Sequence, residues 1–202
     1  MSALVEDLHP YFHMNMSYDV IIGHSLGAAV TLALLPYIKK KDTTAILVDP
    51  ALEFSDEQLQ MYRDLLIRKM TNTVDQWMAE YPAWSRRDCM LRMMGLSMCD
   101  SDVIKDLFRV IVQSLKLQEL LTSFARGAQH NTPWSFSGLF TNIPANVKIT
   151  VLVADLKFGG VCRLEDLPKS LNVRALKGIG HAIQFECPEA IMDAIMLPKG
   201  KL

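Results

Sequence analysis

Short, continuous apolar runs recur along the chain and are bounded by polar or turn-forming residues. This pattern predicts buried strands at residues 18–22, 43–48 and 147–154, with a weaker strand at residues 172–176. Between the first two runs, the Ala- and Leu-rich residues 26–38 predict a helix, and residues 188–197 predict a final helix. The strand–helix–strand order predicts an α/β fold with a mostly parallel sheet of about four strands and helices on both faces.

The middle of the chain has a different pattern. It is polar, rich in Met and helical in period, and it contains no good strand. We interpret residues 55–140 as a helical cap inserted into a core made of residues 1–54 and 141–202. At the start of the chain, residues 2–13 predict a short amphipathic helix broken near Pro10.

The composition limits the classes of function. The 202 residues carry a net charge of -1 and are 50% hydrophobic, which suits a folded domain and favours neither nucleic acid nor an anionic membrane as partner. No apolar run is long enough to span a bilayer. The four cysteines form no metal-binding cluster, so we expect no metal and a reduced, cytoplasmic protein. The C-terminal residues 200–202 (GKL) resemble a peroxisomal signal only weakly.

The first apolar run ends in Gly23-His24-Ser25-Leu26-Gly27, which matches the pattern G-x-S-x-G. A sharp strand-to-helix turn of this kind presents its serine at the carboxyl edge of a sheet as a nucleophile. The backbone N–H of Leu26, at the start of the helix, can bind a developing oxyanion. The alternative is a tight turn in which Ser25 only caps the helix.

A serine nucleophile needs a general base and a carboxylate that orients it. His181, in the glycine-flanked loop GIGHA near the C-terminus, follows the weak strand and is the best-placed base. The alternative is a loop histidine bonded to backbone. His24 precedes the serine directly, and we expect its side chain to point elsewhere.

Two aspartates are candidates for the carboxylate. Asp155 follows the strand at 147–154 and Asp49 follows the strand at 43–48, so both would emerge at the edge that carries Ser25. We prefer Asp155 and keep Asp49 as the alternative acid; Glu165 and Asp166 are lesser candidates. For either aspartate, the structural alternative is a helix cap or turn.

The chain resembles the α/β-hydrolase superfamily, and in particular its esterase- and lipase-like members with one helical cap. The segments that carry the resemblance are DVIIGHSLGAAV, VDPAL, ITVLVADLKFGG and GIGHAIQFECPEAIMDAI. The resemblance implies a serine hydrolase in which Ser25 and His181 work with Asp155 or Asp49. It also implies a small or medium apolar carboxylic ester as substrate, an acyl-serine intermediate and no cofactor.

The sequence also departs from the family pattern. The family places four further strands and a second oxyanion donor before the serine strand, and the chain resembles the C-terminal two-thirds of such a protein. The serine strand is therefore expected to form an exposed sheet edge, through which copies could associate. The alternative function is a weakly active or inactive fragment that acts as a binding or interaction module.

Overall fold

The computed structural model of the chain describes residues 2–13, 17–39, 42–98 and 134–196. Two compact units are formed, one by residues 1–53 and 135–202 and the other by residues 54–134. The sequence prediction placed these boundaries at residues 54/55 and 140/141. Residues 99–133 of the predicted helical cap and the C-terminal tripeptide lie outside the described residues.

The first unit contains a four-stranded parallel sheet, as predicted. Its strands are β1 (Val20–His24), β2 (Thr43–Val48), β5 (Val147–Ala154) and β6 (Asn172–Leu176), in the spatial order β1-β2-β5-β6. The four strands predicted from the apolar runs are confirmed. Two-residue strands β3 (Glu53–Phe54) and β4 (Trp134–Ser135) pair separately, where the chain passes between the units.

The helices of the first unit are α1 (Ser2–His13), α2 (Leu26–Leu34), the short α6 (Ile183–Glu186) and α7 (Pro188–Met196). The predicted break near Pro10 is wrong, because α1 continues to His13. Proline removes one helical hydrogen bond, and packing of the His9 ring on Tyr37, with centroids 4.2 Å apart, holds this end of the helix. The second predicted helix is shorter than expected, because a 3₁₀ turn replaces it from Leu35 to Tyr37.

Helices cover opposite faces of the sheet. Ile46 and Val48 of β2 pack with Leu152 of β5 and with Ile183, Ala190 and Ala194 of the C-terminal helices. Gly23 of β1 lies against α2, as shown by its close approach to Ala28. Since side chains alternate along a strand, α2 and α7 occupy different sides. Because the four strands are parallel, their carboxyl ends meet at one edge of the sheet. The candidate site lies at this edge.

Strand β1 is exposed compared with its neighbour. In the described sheet, β1 pairs with β2 and forms an edge, as the sequence predicted. Ile22 at its centre is 48% exposed, whereas the side chains of Ile46 and Leu47 in β2 are fully buried. An apolar edge strand of this kind can pair with other chains.

The described part of the second unit contains α3 (Asp56–Lys69), α4 (Val74–Glu80) and α5 (Arg86–Ser97). Each helix begins with a capping box, in which Ser55, Thr73 or Ser85 accepts a hydrogen bond from the backbone three residues later. The buried Trp77 stacks on Tyr81, with ring centroids 5.5 Å apart. No helix in the described ranges is long and apolar enough to cross a membrane.

Replacement of Gly23 with alanine is expected to destabilise the first unit. A Cβ atom at this position would overlap Thr31 Oγ1 and lie 2.7 Å from Ala28 Cα, which forces β1 and α2 apart. Overpacking of this kind costs about 1–3 kcal/mol in the free energy of unfolding, measurable by urea denaturation. Gly27→Ala is the matched control, because apart from its chain neighbours and the backbone of its own helix no atom lies within 4 Å of its added Cβ. Equal destabilisation by both substitutions would contradict this account.

Candidate active site

Ser25 occupies a strained turn between β1 and α2. Its φ of 55° and ψ of -122° are unusual for a residue with a side chain. Backbone hydrogen bonds hold the turn: Ser25 N–H donates to Val48 O at 3.0 Å, and Ala51 N–H donates to Ser25 O at 3.2 Å. The Ser25 side chain makes no capping hydrogen bond to α2. The capping alternative for this serine is therefore wrong.

The two glycines of the motif have different roles. Gly23 is required by the close approach of β1 and α2, as described above, whereas Gly27 is exposed and has open space around it. The motif has a glycine at each of these positions, but the close approach of strand and helix requires glycine only at position 23. Leu26 is the first residue of α2, and the first N–H groups of a helix lack intrahelical acceptors. Its N–H is thus suitable as an oxyanion donor.

Asp49 is the only fully buried carboxylate among the described residues, with 0% exposure. Four N–H groups surround it. Its Oδ1 accepts from the backbone of Ala154 and Cys162, each at 3.2 Å. Its Oδ2 accepts from the backbone of Val161 at 2.9 Å and lies 2.6 Å from His181 Nδ1. A buried carboxylate is stable only with such partners.

The loop after β5 supplies two of these N–H groups. Gly160 allows the loop to fold back on the strand end, because a Cβ there would lie 2.8 Å from Ala154 O. Gly159, with φ of 89°, makes the preceding left-handed turn. The backbone of Val161 and Cys162 is thereby brought to the Asp49 carboxylate. These two glycines had no assigned role in the sequence analysis, although GG after a strand is a turn signal.

Asp155, the preferred acid in the sequence analysis, has other partners. Its side chain accepts hydrogen bonds from the backbone of Lys157 and Gly178, both at 3.0 Å, and its own N–H donates to Ile179 O at 2.8 Å. The bond from Gly178, followed by that from Lys157, lowers the pKa of the Asp155 carboxyl. The structure thus pairs Asp49, not Asp155, with His181, and Asp155 instead fastens the start of the histidine loop.

The lesser acid candidates have Arg163 as their described partner. Asp166 forms two hydrogen bonds with the Arg163 guanidinium, at 2.9 and 3.0 Å, and burial raises the pKa of its carboxyl. Glu165 is exposed and lies 4.0 Å from the same guanidinium. Both carboxylates therefore belong to a local ion-pair cluster around Arg163.

The contact of His181 with Asp49 indicates which ring nitrogen carries the proton in the neutral imidazole. Since a carboxylate only accepts hydrogen bonds, the bond to Asp49 places a proton on Nδ1. In the neutral ring, Nε2 then carries the lone pair, as a general base requires. Among the described contacts, the Ser25 hydroxyl makes no hydrogen bond to this ring. Such bonds in hydrolytic sites are often long before the reaction begins.

The His24 side chain does not point away from the site, contrary to expectation. Its Nε2 lies 2.9 Å from His181 O, and the two imidazole rings are 4.6 Å apart between centroids. Because Ser25 follows His24 directly, this contact places the serine turn and the histidine loop at the same edge of the sheet. The sequence pattern could not predict this contact, because its two residues are 157 positions apart and leave no local signal.

Other reactive groups near the site are inert or unclustered. Burial, with a smaller effect of the Asp49 charge, raises the pKa of the Cys162 thiol far above its ordinary value, so it stays protonated. Cys89 and Cys187 are free thiols elsewhere. Within the described ranges, no group of three His, Cys, Asp or Glu side chains could hold a metal ion.

Comparison with solved structures identifies the fold. An N-formylmaleamic acid deformylase from Pseudomonas putida matches with a TM-score of 0.58 and 17% identity, covering 96% of this chain and 71% of that one. A candidate lipase from Acinetobacter baumannii matches with a TM-score of 0.62 and 18% identity over 95% and 64% of the two chains. A carboxylesterase from Bacillus subtilis matches with a TM-score of 0.53 and 12% identity over 94% and 63%.

These likenesses show that the chain has the α/β-hydrolase fold. The chain spans 63% to 71% of the length of the three proteins. Protein-family models give no match, and a comparison with curated protein sequences gives none either. The fold thus rests on three-dimensional similarity, at low sequence identity.

Replacement of Asp49 with asparagine is expected to destabilise the first unit by about 1–3 kcal/mol, because the amide nitrogen would face N–H donors. All four described partners of this carboxylate are N–H groups, so an amide cannot satisfy them with one oxygen. Asp155→Asn is the matched control, with a smaller loss expected because its side chain is only partly buried. Urea denaturation measures both, and a larger loss in the Asp155 variant would contradict the assignment.

Asp155 is also expected to give a distinctive pH dependence of stability. Folding lowers the pKa of this carboxyl below its ordinary value of 3.8, so the ionised side chain stabilises the fold above the unfolded-state pKa. That contribution disappears as the pH falls through the lower folded-state pKa. The difference in unfolding midpoint between the wild type and Asp155→Asn should therefore be present at neutral pH and shrink in acid. A difference that grows in acid would contradict this sign.

Proposed function

We propose that the chain is a serine hydrolase that cleaves a small or medium apolar carboxylic ester. The observation that carries this proposal is the 2.6 Å contact between His181 Nδ1 and Asp49 Oδ2, formed at the edge that carries the strained Ser25 turn. Acyl transfer requires a nucleophile, a base and a carboxylate. In an α/β-hydrolase sheet these three groups follow the ends of strands, as Ser25, His181 and Asp49 do here.

The reaction would proceed in two steps. Ser25 Oγ attacks the ester carbonyl while His181 Nε2 takes its proton, and the Leu26 N–H stabilises the oxyanion. The acyl–oxygen bond then breaks, and His181 returns the proton to the leaving alcohol. A water molecule, activated by the same imidazole, releases the carboxylic acid and restores Ser25. No cofactor takes part in these steps.

We assign the acid to Asp49, the alternative in the sequence analysis. Its complete burial favours this role, because the charge of a desolvated carboxylate acts strongly on the adjacent imidazolium that forms during attack. Asp155 is assigned the supporting role of holding the Gly178–Ile179 backbone. Both residues thus contribute at the same edge, through different contacts.

The proposed substrate is apolar. Leu156 and Phe158, in the loop after β5, are 55% and 60% exposed, and the Phe158 carbonyl lies beside Gly180 in the histidine loop. These exposed side chains offer an apolar surface for an acyl or alcohol group, on a loop whose backbone adjoins the histidine loop. Two of the structural neighbours are named as a carboxylesterase and a candidate lipase, which supports the ester class.

The free thiols support a cytoplasmic location.

The alternative function is a weakly active or inactive module that binds other proteins or a second copy of itself. The exposed Ile22 on the edge strand β1 favours this alternative, because an apolar strand edge can pair with another strand. A module that had the Leu26 N–H alone as oxyanion donor would react about 10²–10³ more slowly than one with two donors. Folded protein without a reactive serine would support this second function.

Labelling with a fluorophosphonate probe tests the proposed function. The wild type is expected to incorporate the probe at Ser25, and Ser25→Ala should abolish labelling. Asp49→Asn should lower the labelling rate by about 10⁴-fold, because the carboxylate no longer fixes the tautomer of His181. Asp155→Asn should retain most of the rate.

Ser85→Ala is the matched control for this experiment. Ser85 also stands at the start of a helix, but its hydroxyl caps that helix by accepting the Asp88 N–H at 3.1 Å. Its replacement should cost about 1 kcal/mol of stability and leave labelling unchanged. Absence of labelling in wild-type protein with a cooperative unfolding transition would contradict the proposed hydrolase function.

A further inference from the structure

We infer that His24 is a positioning residue that fastens the histidine loop to the strand carrying the nucleophile. The inference rests on the proposed function and extends it to a residue outside the Ser25, His181 and Asp49 set. His24 is the last residue of β1, and Ser25 follows it directly. A side chain at this position that binds the histidine loop therefore sets the distance between nucleophile and base.

The contact is a hydrogen bond with a defined direction. His24 Nε2 lies 2.9 Å from His181 O, and a carbonyl oxygen only accepts, so the His24 Nε2–H is the donor. The two rings lie 4.6 Å apart between centroids and are inclined by 38°. The bond acts on the main chain of His181 and leaves its ring nitrogens to Asp49 and the reaction.

Gly180 and His181 take part in three of the described hydrogen bonds, and each of these bonds has a different anchor. Gly180 N–H donates to Glu186 Oε2 at 2.7 Å, which ties the loop to the helix that follows it. His181 Nδ1 bonds Asp49, which ties the ring to the end of β2. Of the three, only the bond from His24 originates in the strand that leads into Ser25.

The position of β1 gives this bond its importance. In the described sheet, β1 is an edge strand with β2 as its neighbour, so its carboxyl end has fewer strand contacts than β2 or β5. Loss of the His24 bond would let the serine turn and the histidine loop shift relative to each other. A misplacement of about 1 Å between reacting groups costs roughly 10²-fold in rate.

A pair of substitutions separates the hydrogen bond from the shape of the side chain. His24→Gln keeps an N–H donor at a similar reach, whereas His24→Phe keeps a flat ring without the donor. The fluorophosphonate labelling rate should fall by about 10- to 100-fold in the Phe variant and stay within about threefold of wild type in the Gln variant. Amide hydrogen exchange at residues 178–182 should increase in the Phe variant only.

Thermal unfolding establishes that each variant is folded. If the Phe variant does not fold, His24→Met replaces it, because Met matches Gln in length and lacks the donor; the same results are then expected. A wild-type labelling rate with unchanged exchange in the donor-free variant would overturn the inference. Equal defects in the Gln variant and the donor-free variant would overturn it as well, since the donor would then not be the determinant.

The exchange measurement keeps this inference distinct from the proposed function. If wild-type protein is folded but not labelled, the hydrolase proposal fails, and exchange at residues 178–182 alone decides the role of His24. Faster exchange in the donor-free variant, restored in the Gln variant, would then support the tie between β1 and the histidine loop. Exchange that is the same in all variants would overturn it.

Discussion

The buried carboxylate of Asp49 is the constraint on which the rest of the site depends. A carboxylate with no solvent exposure requires hydrogen-bond donors, and here the four described donors come from three parts of the edge: the end of β5, the loop after it, and His181. Satisfying one side chain therefore folds the loop of residues 155–162 over the strand ends and brings the imidazole to the sheet. Stability and geometry of the candidate active site thus have a common origin.

The sheet could be predicted from the sequence because its strands are buried. Residues 43–48 and 147–154 are continuous apolar runs, and burial on both faces of a parallel sheet produces that pattern. The serine turn could also be predicted from the sequence, because the approach of strand and helix that requires Gly23 is local. Pro10 misled the prediction of α1, because tertiary packing outweighed the local effect of proline.

The acid could not be chosen from the sequence in the same way. Asp49 and Asp155 each follow a parallel strand, so both reach the same edge, and spacing alone does not distinguish them. The distinction depends on Gly160, which permits the fold-back of the loop, and on Gly178, whose N–H occupies the Asp155 carboxylate. The role of His24 was missed for a related reason, because its partner lies 157 positions away.

The most direct test of the account is the proton NMR resonance of the His181 Nδ1–H group. A hydrogen bond of 2.6 Å to a buried carboxylate should shift this proton far downfield and protect it from exchange. We expect the resonance in the wild type and in Asp155→Asn, and its loss in Asp49→Asn. A resonance that survives in Asp49→Asn and disappears in Asp155→Asn would contradict the central claim that Asp49 orients His181.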